Sequence, residues 1–166
     1  MTTAPGPGDA ASVTVLVPVD PEAAFDAFTR EIDQWWGHGP KFRCGGRRPS
    51  RITLEPGVGG RLIETIPGKS GEKTVEFGRI TAFEPGERLA LEWRGVNFKP
   101  GEKTLVEVLF RASSSGTLVT VRHSGWSALP EDHPARHGHV GADFSRFIGA
   151  WWAELMTSLR LHAGQA

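Results

Sequence analysis

The 166-residue chain has one cysteine, no tyrosine, no excess of charge of either sign and no long apolar run. A lone Cys44 cannot close an internal disulfide, and the first residues lack the basic-then-apolar pattern of a secretory signal, so the expected compartment is a reducing cytoplasm. The 19 Lys and Arg balance 19 Asp and Glu. That balance removes the basic surplus whose counterion release drives nucleic-acid binding, and nucleic acid is set aside as a partner. No apolar stretch approaches the roughly 18 residues of a spanning helix, so no membrane crossing is expected. A chain of this length buries roughly 70% of its unfolded surface, enough for one core without a disulfide or metal staple.

What the sequence does have is 6 Trp and 9 Phe beside 21 Gly and 12 Pro. Aromatic bulk without phenol hydroxyls suits a core, or a pocket that selects by shape and stacking. Glycine and proline recur between apolar runs, which marks many turns joining short strands. Residues 1–11 are small and Pro/Gly-rich and read as a flexible tail, with a second short tail at 163–166 and a single domain over 12–162.

Alternating β-branched residues predict a first strand over 12–19. Asp20-Pro21-Glu22 supplies an N-cap, a first-turn proline and an acid, predicting a helix over 21–30, and a short helical turn follows at 31–36. Six strands are then predicted over 51–55, 60–66, 73–83, 88–94, 103–112 and 117–124, with turn-like gaps that make the sheet antiparallel. The last helix is expected over 140–162, carrying Phe144, Phe147, Ile148, Trp151, Trp152, Leu155, Met156 and Leu159 at helical spacing. The fold class is α+β: a curved antiparallel sheet of about seven strands around a long C-terminal helix, with two short helices after the first strand.

The strings VDPEAAFDAFT, QWWG, PGVGGRLIE, GRITAFEPGERLALEW, LVTVRHSGW and DFSRFIGAWWAELMTSLRLH, in that order, carry a resemblance over about residues 12–162. Together they resemble bacterial relatives of the heat-shock-protein ATPase activator, the AHSA-like family of the START-like (SRPBCC) superfamily. The resemblance implies the helix-grip fold, with a hydrophobic cavity between the sheet and the last helix. Its relatives include lipid carriers, aromatic polyketide cyclases and stress-response proteins, so the fold alone does not choose a function.

His123 lies in period-two phase with Val119 and Val121 and should face the apolar side, as a proton donor or acceptor, a ligand anchor, or a buried histidine satisfied by its neighbours. Glu64 is in phase with Leu62 and Ile66, which would set a carboxyl able to act as acid or base on a partly apolar face; the opposite phase leaves it exposed. These two are the candidate catalytic residues. The expected ligand wall is Phe25, Trp35, Leu62, Phe77, Trp93, Phe110, His123, Phe144, Phe147, Ile148, Trp151 and Leu155. Adjacent helical residues point about 100° apart, so one of Trp35-Trp36 and one of Trp151-Trp152 should seal the core and the other a mouth or contact surface. On the last helix the favoured inner stripe is Trp151 and Leu155 with Phe144 and Phe147 or Ile148.

His133, His137 and His139 match no metal-binding spacing and read as exposed loop residues, so no metal is expected. Cys44 lies among basic residues that would lower its thiol pKa, with no surrounding constellation for a nucleophile. Gly68-Lys69-Ser70 lacks the upstream glycine and following helix of a phosphate loop. Ser124 lacks the glycine two residues before it that a nucleophile elbow needs. The run 45–51 reads as a solvated basic loop. No cofactor is implied, and a homodimer is compatible with the sequence. The leading expectation is a binder of a small hydrophobic molecule, such as a lipid, polyketide or aromatic metabolite. The alternatives are a cyclase or dehydratase using His123, and a chaperone-associated interaction module.

Overall fold

The computed structural model describes residues 8–165. Seven strands form one antiparallel sheet: β1 (Ala11–Val17), β2 (Arg51–Leu54), β3 (Arg61–Ile66), β4 (Lys73–Glu84), β5 (Arg88–Trp93), β6 (Thr104–Ser113) and β7 (Gly116–Ser124). Their spatial order is β1-β7-β6-β5-β4-β3-β2, so every neighbouring pair follows in sequence except β1 with β7. Two short helices, α1 (Pro21–Thr29) and α2 (Ile32–Trp35), follow β1, and α3 (Gly141–Ala163) closes the chain. This is the expected helix-grip architecture, with element ends moved by one or two residues.

The ends of α1 follow local chemistry. Asp20 has an extended backbone and its Oδ1 accepts the Ala23 N–H at 2.8 Å, while Pro21 needs no partner for an N–H in the first turn. The buried face of α1 is Ala24, Phe25, Ala27, Phe28 and Thr29. In α3 the buried residues Phe144, Ile148, Trp152, Leu155 and Leu159 recur every three or four positions. The inner stripe therefore runs through Trp152; Trp151 and Phe147 stand to its side, half-buried. Trp151, expected in the inner stripe, stands outside it. From Ile148 the next residue one turn along is Trp152, and Trp151 is rotated about 100° from it.

Curvature enters through β4. Its pairing slips between Leu62 and Ile63 of β3, and again between Ile80 and Ala82 opposite β5. Each slip is a bulge that bends and twists the strand, which lets the sheet wrap α3. Gly78 sits at the first bend, where a Cβ would stand 3.1 Å from both Leu62 Cβ and Leu91 Cδ1. No larger residue fits that approach without displacing its neighbours.

Residues 1–7 of the expected tail lie outside the described residues. Of the rest, Ala11 already belongs to β1, the Gly8 N–H donates to Ser145 Oγ at 3.1 Å, and Ser145 Oγ donates to the Ala10 carbonyl at 3.0 Å. The Pro/His segment before α3 carries two short 3₁₀ turns, Trp126–Ala128 and Pro134–Arg136. No helix among the described residues is long and apolar enough to cross a membrane.

Candidate functional site

An aromatic cavity of about 560 Å³ lies beside the N-terminal half of α3. Helices, strands and loops all contribute to its wall. The end of α2 supplies Trp36, β4 and β5 supply Phe77 and Trp93, and α3 supplies Phe147, Ile148 and Trp151. The loop at 37–50 adds Phe42, and the loops at 94–103 and 125–140 add Phe98 and Trp126.

The rings form one contiguous cluster. Trp36 stacks on Trp93 at 6.2 Å between centroids and meets Trp151 edge-on at 5.9 Å. Trp93 meets Phe77 at 5.3 Å and Trp151 at 6.0 Å, and Phe42 covers Trp151 at 5.6 Å. Edge-to-face and offset contacts at these distances are the preferred aromatic geometries, so the rings hold one another in place.

Each Trp pair divides. Trp35 is 1% exposed, packs on Phe28 at 5.0 Å and donates its indole N–H to the Ala27 carbonyl. Trp36 lies past the last turn of α2, with φ −64° and ψ 134°, and this extended backbone turns its ring to the cavity. On α3, Trp151 fronts the cavity while Trp152 is buried toward the sheet.

Of the expected wall, Phe77, Trp93, Phe147, Ile148 and Trp151 line the cavity. Phe25, Trp35, Leu62, Phe110, Phe144 and Leu155 lie in the filled core; Phe25, for example, meets Phe110 at 5.1 Å. Trp36, Phe42, Phe98 and Trp126 were not anticipated as wall. They belong to turn-rich segments or helix ends where no strand or helix period reveals a facing, and the usable signal is a lone large aromatic within a Pro/Gly-rich loop.

His123 is fully buried but is not part of the wall. Its Nδ1 accepts the Trp152 indole N–H at 3.0 Å, so its proton sits on Nε2, which donates to Thr104 Oγ1 at 2.7 Å. The Trp93 and Trp126 rings cover it, with centroids at 5.5 and 4.8 Å. Burial pushes its pKa down to about 3, so the ring is neutral near pH 7. Both nitrogens are engaged inside the protein, and the cavity lies on the other side of the tryptophans.

Glu64 takes the inward phase, between buried Leu62 and Ile66, and lines the cavity at 1% exposure. Its Oε1 accepts the Cys44 N–H at 2.8 Å and its Oε2 the Gly45 N–H at 2.7 Å. Gly45 allows this close approach, because a Cβ there would stand 3.1 Å from Oε2. Cys44 is exposed as a residue, yet crowding around its sulfur and then the adjacent Glu64 carboxylate raise its thiol to about 11. Among the basic residues Lys73 acts to lower it, but burial and the Glu64 carboxylate outweigh that pull.

Two buried arginines brace the wall loops. Arg43 donates to the carbonyls of Gly37 at 2.9 Å and Ser50 at 2.9 Å, and pairs with Asp33 at 3.0 Å. Arg136 donates to the carbonyls of Trp126, Leu129 and Pro130 at 2.6–3.0 Å, and lies 5.0 Å over the Phe144 ring. Loop carbonyls without strand partners must be satisfied one at a time, and a guanidinium does this for several at once. Arg47, Arg48 and Arg51 of the basic run are exposed.

The three histidines expected to be exposed separate. His133 is 5% exposed, with Nε2 at 2.8 Å from Glu102 and Nδ1 accepting the Ala135 N–H. It was missed as a buried group because its partner is remote in sequence. His137 is exposed, and half-buried His139 stacks on Phe147 at 4.5 Å. Among the described residues no cluster of His, Cys, Asp or Glu could hold a metal ion.

A curved sheet gripping a terminal helix beside an aromatic cavity defines the START-like class of proteins. Within it, the chain belongs to the activator of Hsp90 ATPase homolog 1-like family, whose model matches residues 18–158. A protein from Mesorhizobium loti has the same fold, with a TM-score of 0.64 at 17% identity over 95% of this chain and 98% of that one. An activator-like protein from Aeromonas hydrophila aligns with a TM-score of 0.60 at 20% identity, covering 94% and 92%. A third, solved in solution as a dimer from Colwellia psychrerythraea, aligns with a TM-score of 0.59 at 17% identity, covering 91% and 92%. No curated protein matches.

Proposed function

We propose that the protein binds a small hydrophobic molecule in the cavity walled by Trp36, Phe77, Trp93 and Trp151. The observation that carries this reading is the cavity itself. Its volume of about 560 Å³ falls within the roughly 300–1,000 Å³ of small-molecule sites, and its wall is mostly aromatic. It reaches the surface at Lys41, whose side chain is 55% exposed, and at Val96, which is 68% exposed. The rings are braced before any ligand arrives, so binding does not have to order them.

The binder reading stands above the cyclase or dehydratase reading because of the two polar groups expected to move protons. His123 is turned away with both nitrogens engaged, and Glu64 has no second titratable partner at its oxygens beyond the Cys44 thiol. General acid–base chemistry needs such groups within hydrogen-bond reach of one substrate position.

The test is native mass spectrometry of the gently purified protein, followed by organic extraction of whatever is released. A discrete hydrophobic compound bound one to one is expected. Recovery of a chaperone in stoichiometric amount, with no small molecule and no uptake of added hydrophobic compounds, overturns the reading.

A further inference from the structure

The cavity combines a buried carboxylate with tryptophan faces, and a purely apolar occupant uses only the second of these. Both Glu64 oxygens act as acceptors, as a carboxylate's do, and their two donors are neutral backbone N–H groups. No Lys, Arg or His nitrogen comes within 4.0 Å of those oxygens among the described residues. A carboxylate removed from water retains a large desolvation penalty unless a counter-charge reaches it. The basic residues that line the cavity are engaged elsewhere or exposed, and exposed Lys73, whose charge reaches the neighbouring Cys44 thiol, stays beyond 4.0 Å of the Glu64 oxygens. Arg43 is turned to Asp33 and to loop carbonyls, and the Lys41 ammonium sits 2.7 Å from Glu154 at the mouth. His137 is exposed.

The rings supply the complementary half. Trp36, Trp93 and Trp151 stand at 5.9–6.2 Å from one another, with Phe77 against Trp93. The negative faces of such rings attract an organic cation, tryptophan most strongly. A hydroxyl-poor aromatic wall offers little to a neutral polar group, and the Glu64 charge opposes an anion.

We propose that the ligand is a hydrophobic organic ammonium, a tertiary or quaternary amine on an apolar body, with its charge held by Glu64 and the tryptophan faces. This rests on the binding reading above and names the class of molecule the same cavity takes. The amphiphile enters between Lys41 and Val96, and its ammonium replaces the missing counter-charge.

The experiment uses three probes of one shape on the unaltered protein: benzyltrimethylammonium, its uncharged carbon isostere neopentylbenzene, and the anion phenylmethanesulfonate. Dissociation constants are read from tryptophan fluorescence and indole N–H shifts. The ammonium is expected to bind about tenfold or more tighter than the isostere, and the sulfonate weakest. Equal affinity for ammonium and isostere, or a preference for the sulfonate, overturns the ammonium assignment and leaves the binding reading standing. If none of the three binds and larger neutral aromatics also fail, both fall together. In Glu64→Gln the ammonium preference should collapse while isostere affinity persists. Because that substitution also disturbs the Cys44 and Gly45 contacts, the charge series on the unaltered protein decides the matter.

Discussion

The two halves of α3 meet the sheet differently. Leu155, Met156 and Leu159 in the C-terminal half are 0–1% exposed within a filled core. Phe147 and Trp151 in the N-terminal half are half-buried beside the cavity, with Ile148 between them and the core. Side-chain size does not separate the halves, since both carry large apolar residues. The covering elements do. Over the C-terminal half lies α1, a helix whose backbone groups satisfy one another, so Phe25 and Phe28 are buried in the core. Only a smaller recess of about 320 Å³, lined by Ala23, Ala27, Glu31 and His162, remains at its end. Over the other half lie loops whose carbonyls need individual partners, and Arg43, Arg136 and the Trp36 and Trp151 indoles supply them. The loop cover leaves about 560 Å³ walled mostly by aromatic rings, against about 320 Å³ beside α1.

Truncation should separate the two halves. Leu155→Ala should lose about 2–5 kcal/mol of stability in urea unfolding, as for a fully buried leucine. Trp151→Ala should lose about 1–2 kcal/mol, from a half-exposed ring and its bond to the Lys41 carbonyl, while abolishing ligand uptake. Equal losses would mean that the cavity end is as closely packed as the core.

His123 sharpens the boundary between the regions. His123→Ala should cost about 2–4 kcal/mol, because it leaves the Trp152 indole and Thr104 hydroxyl without their partner, while hydrophobic probes bind unchanged. The same residue predicts a pH effect. Its folded pKa of about 3 lies below the ordinary 6.5, so the unfolded chain takes up the proton first on acidification. The stability due to the neutral ring is complete above pH 6.5 and falls as pH drops toward 3. Between pH 7 and 5, the stability of His123→Ala should decline less than that of the unaltered protein.

Much of this architecture is legible in the sequence because its signals are periodic. β-branched alternation marks β1, Asp20-Pro21 marks the start of α1, and the spacing from Phe144 to Leu159 marks α3. The inward phase of Glu64 could also be read from Leu62 and Ile66. The cavity was less legible. Its Trp36, Phe42, Phe98 and Trp126 sit where no period applies, and whether a facing ring meets a neighbour or empty space depends on which element crosses above it. His123 illustrates the limit: its inward direction follows from Val119 and Val121, but its enclosure by Trp93, Trp126 and Trp152 is a long-range result of packing.

A smaller effect concerns the loop cover. Arg43→Met should cost about 1–3 kcal/mol and speed amide hydrogen exchange over residues 37–50 before any change in the α1 end. Uniform acceleration at both ends would remove the distinction between a loop cover and a helical one. Smallest of all, Cys44 should alkylate slowly at pH 8 despite its exposure, because its thiol pKa is raised to about 11; Glu64→Gln should speed the reaction.

The most direct test of a ligand site confined to one half of the molecule uses the six tryptophans as internal reporters. Their indole N–H signals, assigned by substitution, are followed while a small aromatic ligand is added. Trp36, Trp93 and Trp151 should shift most, with Trp35 unmoved in the closed core. No shift with any hydrophobic ligand, or a largest shift at Trp35, would contradict the account.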